Sequence, residues 1–271
     1  AGKTKLCRIP QGANALGLAQ TGVLPADGGK HAGQMLDGSL GAVLLFGIEP
    51  QFDFAETTRA VNALLGAKVV ACSAYVSAQL QELADVILPI GLLPEVQGTL
   101  TNLNGVEQAA EAAGKLPGSA QSGWRVLRAL YDECQLPAMD FVDIAQLRGK
   151  IVKQAVTSGT GLTVLGAAQD GFERISSSAI YRVDAVTRRA HALQSHPLTS
   201  GAQLTLHPKD AEMLGLQAGQ MAKVGDGSGS AALPVAVSDK VAESCVWIES
   251  NYPATAPLSQ TAKLAIVRAV L

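Results

Sequence analysis

The run Ala42-Val43-Leu44-Leu45-Phe46, closed by Gly47-Ile48-Glu49-Pro50, sets the reading of the whole chain. Five consecutive apolar residues ended by a glycine and a proline read as a strand buried on both faces, the pattern of a parallel sheet. Residues 54–65 follow with helical spacing, which places Ala60, Val61, Leu64 and Leu65 on one side. Asp53 is the expected N-cap of that helix and Gly66 its C-terminal stop. Residues 68–72 read as a second strand, and Ser77 caps a short helix that runs to Leu83. Val86-Ile87-Leu88 is a third strand, ended by Pro89. The order β-α-β-α-β with short connections is half of a doubly wound parallel sheet, so the fold class is α/β with a Rossmann-like first domain.

Outward from this unit the pattern weakens and then changes. Gln11-Gly12-Ala13-Asn14 and Ala26-Asp27-Gly28-Gly29 read as turns, with a short helix over 15–20. Residues 93–113 lose periodicity and read as a long ordered loop. A helix is expected over 121–134, with Trp124, Leu127, Leu130 and Tyr131 near one face, and another over 144–156. Thr157-Ser158-Gly159-Thr160-Gly161 is the expected linker, dividing the chain into domains at 1–156 and 162–271. Beyond it, strands are expected over 203–206, 221–224, 231–237 and 245–249, with one short helix over 208–214 stopped by Gly215. Short strands with a single small helix suggest a closed, barrel-like second domain.

Composition narrows the function. Of 271 residues, 48% are hydrophobic and only 16% charged, with a net charge of −2. That balance suits a chain covered by neighbours. It lacks the clustered Lys and Arg that nucleic acid requires. The apolar runs are too short to cross a membrane, and the start, Ala1-Gly2-Lys3, leads into no signal-like apolar segment. The absence of an initial Met suggests a processed or excised fragment, or ordinary Met removal. Cys7, Cys72, Cys134 and Cys245 have no short metal-binding spacing and read as reduced thiols. His31, His191, His196 and His207 are scattered and read as surface or turn residues rather than ligands. Asp85 reads as a polar contact at a sheet end, and neither it nor Glu95 has a partner in an acid–base constellation.

Three stretches carry a family likeness. Ala84-Asp85-Val86-Ile87-Leu88-Pro89 is followed by Glu95, Gly98, Thr99, Asn102, Gly105 and Gln108. Pro117-Gly118-Ser119-Ala120 precedes Trp124 and Leu127-Arg128-Ala129-Leu130. His207-Pro208-Lys209-Asp210-Ala211 precedes Leu214-Gly215-Leu216, Gly219 and Val224. In this order they resemble the molybdopterin oxidoreductases and their relatives. The segment 181–194, with Arg188-Arg189-Ala190 and Leu193-Gln194, is more similar to the iron–sulfur subunit of the respiratory NADH:quinone oxidoreductases than to a molybdenum enzyme.

The resemblance implies a Rossmann-like domain followed by a six-stranded double-psi β-barrel. It implies a place in the peripheral arm at the cytoplasmic face of the inner membrane, beside other subunits, without insertion into the bilayer. It also implies that iron–sulfur clusters lie in an N-terminal region of the parent subunit, so this stretch carries no cofactor. The residues that would frame a pterin-dinucleotide site in the family fall on Gly47, Glu49, Gly98, Thr99, Asn102 and Val106. Two depart from the family pattern. Glu49 sets a carboxylate where phosphate would approach, and Val106 stands where an arginine is usual. These departures point to a vestigial site and a supporting role without catalytic residues. The alternative is a true molybdenum oxidoreductase that grips its pterin dinucleotide, and a further one is an unrelated α/β protein with a small-molecule pocket.

Overall fold

The computed structural model describes residues 9, 12–25, 28–137, 140–156, 171–260 and 263–268. The expected linker 157–161, Cys7, and parts of the two N-terminal turns lie outside the described residues. The chain forms two compact units, one of Ala1–Met35, Cys72–Ala74 and Ile87–Thr163, the other of Leu36–Ala71, Tyr75–Val86 and Val164–Leu271.

Along the chain, α1 (Ala15–Gln20) and α2 (Ala32–Met35) precede β1 (Ala42–Phe46), α3 (Pro50–Asp53), α4 (Thr57–Leu65), β2 (Lys68–Ser73), α5 (Ala78–Leu83) and β3 (Val86–Pro89). The three strands form a sheet in the order β1-β2-β3. Central β2 buries Val69, Ala71, Cys72 and Ser73. β1 is not buried on both faces as its apolar run suggests. It stands at the sheet edge, only Leu45 is buried, and Leu44 and Phe46 are 47% and 43% exposed. The helix expected over 54–65 is also shorter and starts only at Thr57. Asp53 belongs to α3, and Glu56 is the N-cap of α4. Helix α4 turns Thr57, Ala60 and Leu64 inward. Asp85 accepts from the Val69 N–H at 2.8 Å and pairs with Lys68 at 2.8 Å, which fixes the start of β2.

Ser77 Oγ accepts from the Leu80 N–H at 3.2 Å, the N-cap that the sequence indicates for α5. Replacing it with Ala should cost about 1 kcal/mol, read as a small fall in melting temperature. An unchanged or raised melting temperature would show that the cap contributes nothing.

The stretch read as a loop contains a hairpin, β4 (Gly98–Thr101) with β5 (Glu107–Ala110), paired antiparallel. Its turn is held by Asn102, whose Oδ1 accepts from the N–H groups of Asn104 and Val106, and Gly105 takes φ +81°. Helix α6 (Gly123–Glu133) carries Trp124, 6.0 Å from Phe141. Helix α7 (Ile144–Lys150) ends six residues before the expected 156.

The remaining elements are β6 (Glu173–Ser178), α8 (His191–Gln194), β7 (Leu204–Leu206), α9 (Pro208–Met213), β8 (Met221–Gly225), β9 (Ser230–Val237), β10 (Cys245–Ser250) and β11 (Ala265–Arg268). Six of them form one mixed sheet in the order β11-β8-β9-β7-β10-β6. Its outer strands meet. Phe172 and Leu264, just ahead of β6 and β11, exchange both backbone hydrogen bonds at 2.9 Å. β10 alternates inward and outward, burying Val246, Ile248 and Ser250 in turn, and β7 is buried throughout. Leu204, Leu206, Val224, Leu233, Leu258 and Leu264 complete a core inside this sheet. Each such side chain contributes about 1.5–3 kcal/mol of burial.

Candidate functional site

The turn from β1 into α3 is the place where a strand hands over to a helix and backbone N–H groups are available to an anion. Gly47 makes the turn with φ +66°, a conformation glycine adopts without steric cost. Two residues on, Glu49 is extended and becomes the N-cap residue, and Pro50 occupies the first helical position, where its missing N–H costs nothing.

Glu49 does not face an open site. It is 1% exposed and receives two guanidinium groups from far along the chain. Its Oε2 accepts from Arg188 Nε at 3.1 Å and Nη2 at 2.9 Å, and from Arg189 Nη1 at 3.0 Å. Its Oε1 accepts from Arg189 Nη2 at 2.6 Å. Asp53, one turn along α3, accepts the Glu49 N–H at 2.7 Å and Arg188 Nη2 at 3.2 Å. Two carboxylates and two guanidiniums thus close on one another. Aromatic faces finish the seal, with Arg188 4.7 Å from the Phe52 ring centroid and Arg189 4.2 Å from that of Tyr75.

The arginines come from a strap, residues 180–196, in which Arg188 is buried and Arg182 and Gln194 are half-buried. Two 3-10 turns, Ile180–Arg182 and Thr187–Arg189, lead into α8. Gln194 Nε2 donates to the carbonyls of Tyr181 and Thr187, and its Oε1 accepts from Arg182. Arg182 Nε in turn donates to the Asn251 carbonyl at 2.8 Å. Arg188 Nη1 and Arg189 Nη1 also donate to the carbonyls of Arg182 and Ala185. Each end of the strap is therefore pinned, and Arg188 and Arg189 are held over Glu49 rather than free to swing.

The electrostatics follow from burial and pairing. Burial pushes the Glu49 carboxyl up, but its hydrogen bonds and charge attraction to Arg189 and Arg188 outweigh that and hold it below the usual carboxylate range. Burial pushes Asp53 up, and its bonds to the Glu49 N–H and Arg188 only partly offset it. The turn is filled by an internal carboxylate and its cations. The sequence places Glu49 as a bare charge, whereas in the fold it is paired with two guanidiniums.

The other residues of the expected frame lie elsewhere. Gly98 and Thr99 are in β4, Asn102 holds the hairpin turn, and Val106 is 53% exposed beside it. These four belong to the first compact unit, and Gly47 and Glu49 to the second. Asp53, Phe52 and Tyr75 were not marked by the sequence as parts of a site, and Arg188 and Arg189 were marked only by their family likeness. Two adjacent arginines in a chain with 16% charged residues are the one local signal of a buried charge site.

Among the described residues, no group of three or more His, Cys, Asp or Glu is placed to hold a metal. Cys72 is buried, Cys245 half-buried and Cys134 exposed, and burial pushes the Cys72 and Cys245 thiols up, away from reactive thiolates. No helix of the described residues is long and apolar enough to cross a membrane.

Comparison with known proteins matches two consecutive stretches of the chain. The molybdopterin oxidoreductase family model matches residues 3–133, and that of the molydopterin dinucleotide binding domain matches residues 174–266. The chain is 39% identical over 74 residues to the NADH-ubiquinone oxidoreductase 78 kDa subunit of Neurospora crassa, covering 27% of this chain and 10% of that protein. It is 26% identical over 244 residues to the G-type subunit of the NADH-quinone oxidoreductase of Mycobacterium bovis, covering 84% of this chain and 29% of the other. It is 23% identical over 228 residues to the NADPH-Fe(3+) oxidoreductase subunit alpha of Geobacter sulfurreducens, covering 76% and 27%. The chain thus spans less than a third of these relatives. In fold it is similar to acetylene hydratase from Pelobacter acetylenicus, with a TM-score of 0.54, 15% identity, and coverage of 80% of this chain and 40% of that one. Two consecutive segments thus match models of the molybdopterin oxidoreductases and of their dinucleotide binding domain, and the G-type subunit of NADH-quinone oxidoreductase is among the proteins that the chain is similar to.

Proposed function

We propose that the chain is a non-catalytic, cofactor-free supporting region of an NADH:quinone oxidoreductase subunit of the G type. Its role on this reading is mechanical: it holds cluster-bearing parts of the parent subunit in place while electrons pass from NADH toward quinone elsewhere. The observation that carries it is the closed charge cluster at the β1–α3 turn, where Glu49, Arg188 and Arg189 fill the position an anionic cofactor would need. The sequence matches at 3–133 and 174–266 support a Rossmann-like domain over 1–156 and a double-psi barrel over 162–271. Meeting of the outer strands at Phe172 and Leu264 supports the barrel.

The proposed partners are the other peripheral-arm subunits, at the cytoplasmic face of the inner membrane. The strap supports this by its exposed apolar residues: Arg188 is buried while Ile180, Val183 and Val186 stand 63%, 50% and 45% exposed, a group suited to cover by another protein surface.

A second reading, a chain that grips a pterin dinucleotide, is favoured by the match of residues 174–266 to a dinucleotide-binding domain. One experiment separates the two. Protein purified from a host that makes the cofactor should contain neither molybdenum nor pterin, by elemental analysis and by the fluorescence of oxidised pterin. Near-stoichiometric amounts of either would replace the supporting role with the cofactor-holding one. Recovery of the intact parent protein with other peripheral-arm subunits would support the first reading, and its recovery as a pterin-containing monomer would refute it.

A further inference from the structure

Within the second unit, residues 257–260 bond both to the start of α4 and to the mixed sheet. On the α4 side, Thr58 Oγ1 donates to the Pro257 carbonyl at 3.3 Å, and Ser259 Oγ donates to Glu56 Oε1 at 2.5 Å. The Gln260 N–H donates to the Ala55 carbonyl at 3.1 Å. On the sheet side, the Ser259 N–H donates to Asp226 Oδ2 at 2.6 Å, in the turn between β8 and β9. Arg174 of β6 donates from Nη1 to the carbonyls of Leu258 and Ser259, at 2.9 and 2.6 Å. Leu258 and Ser259 are both buried. Gly229, in the same turn as Asp226, forms the seat. A Cβ there would run into the Pro257 carbonyl oxygen, so any side chain pushes the segment away.

One buried charge couples these bonds. Arg174 is buried, and among the described residues no carboxylate bonds to it directly. Its remaining hydrogen bond, to Ser250 Oγ, is long at 3.5 Å. The countercharges Asp226 and Glu56 attract it from a distance, and both grip Ser259 instead. Burial pushes the Arg174 guanidinium down to about 10 against that attraction. Lifting the segment removes both carbonyl acceptors at once and leaves a buried cation without them, which is a costly state. A partly lifted segment gains little freedom and already loses those acceptors. The bonds on the two sides therefore hold or fail together.

We infer that residues 257–260 are a latch that locks the start of α4 to the six-stranded sheet and opens as one unit around Ser259. The inference is independent of the proposed supporting role; on that reading the latch is the joint that keeps the support stiff. Native-state hydrogen exchange of the whole chain tests it, because Ser259 and Gln260 donate their N–H groups to opposite sides. In the parent the two amides should share one protection factor, below that of Val246 and Ile248 in β10. Ser259→Ala keeps both backbone bonds and removes only the bond to Glu56. It should lower the protection of both amides by the same factor, about tenfold, the effect of one net hydrogen bond. Gly229→Ala, which wedges the seat, should lower both further and again equally. If Gly229→Ala does not fold, Ser259→Ala decides alone. Unequal losses at the two amides show separate bonds and no latch. Parent protection equal to that of β10 shows a segment that opens only when the whole chain unfolds. Either result overturns the inference, as does a folded Gly229→Ala with unchanged exchange at Ser259 and Gln260.

Discussion

Arg188→Ala should lower stability by about 3–5 kcal/mol, because removal of one member of a buried ion pair leaves its partner charged and unpaired. For a chain of this size that is a fall of roughly 10 °C in melting temperature. The side chain of Arg188 is 3% exposed and that of Glu49 2%, so water cannot replace the lost bonds, and Asp53 loses its cation as well. Arg189→Ala should cost clearly less, because the Arg189 side chain is 33% exposed and more of its pairing energy is screened. Equal effects of the two variants, or a larger one for Arg189, would show that burial does not set the strength of the cluster.

The pH dependence has a defined sign. The Glu49 carboxyl lies below its ordinary value in the folded chain, so its contribution is present above the ordinary carboxylate range and is lost as pH falls through the folded value. Asp53 lies above its ordinary value, so its part is largest at low pH and is lost as pH rises through that higher value. In Arg188→Ala both carboxylates face each other with one cation fewer. Mild acidification should then narrow the gap between variant and parent.

Local chemistry is what the sequence made legible. The cap of α5 by Ser77, the buried central strand β2 and the short helix stopped by Gly215 all depend on neighbours within a few residues, and each is found where its pattern lies. The exposure of β1 was not legible, because an apolar run reads alike whether its strand is central or at an edge, and only the number of neighbouring strands decides. The hairpin at 98–110 reads as a loop although Asn104-Gly105 is a strong turn signal, because Gly98 and two threonines in one strand and Glu-Gln-Ala-Ala in the other show no alternation of apolar and polar residues. The Glu49 cluster was beyond reach for another reason. Its partners are 139 and 140 residues apart in sequence, and no periodicity connects a turn after one strand with a strap before another. Resemblance picked out Arg188-Arg189 without saying what they touch. Physical reading picked out Glu49 without saying what neutralises it.

Joining those halves leads to the second large effect. In Glu49→Gln the internal anion is gone, yet Arg188 and Arg189 stay pinned by the carbonyls of Arg182 and Ala185 and face only Asp53. The uncompensated cation should destabilise the variant by about 3 kcal/mol or more. It should also create a demand for an external anion at a strand-to-helix turn, where a phosphate group meets N–H donors as well as arginines. Pyrophosphate should therefore restore the variant. A ligand at a hundred times its dissociation constant contributes about 2.7 kcal/mol, which returns most of the loss. The parent chain, with Glu49 in place, should show only the small, general stabilisation that excluded salts give any protein. Adding Arg189→Ala to Glu49→Gln should abolish the rescue, since the remaining guanidinium is balanced by Asp53. If pyrophosphate raises the melting temperature of the parent and of Glu49→Gln by the same amount, the carboxylate is not standing in for a phosphate, and the loss of the anion site must be sought elsewhere in the chain.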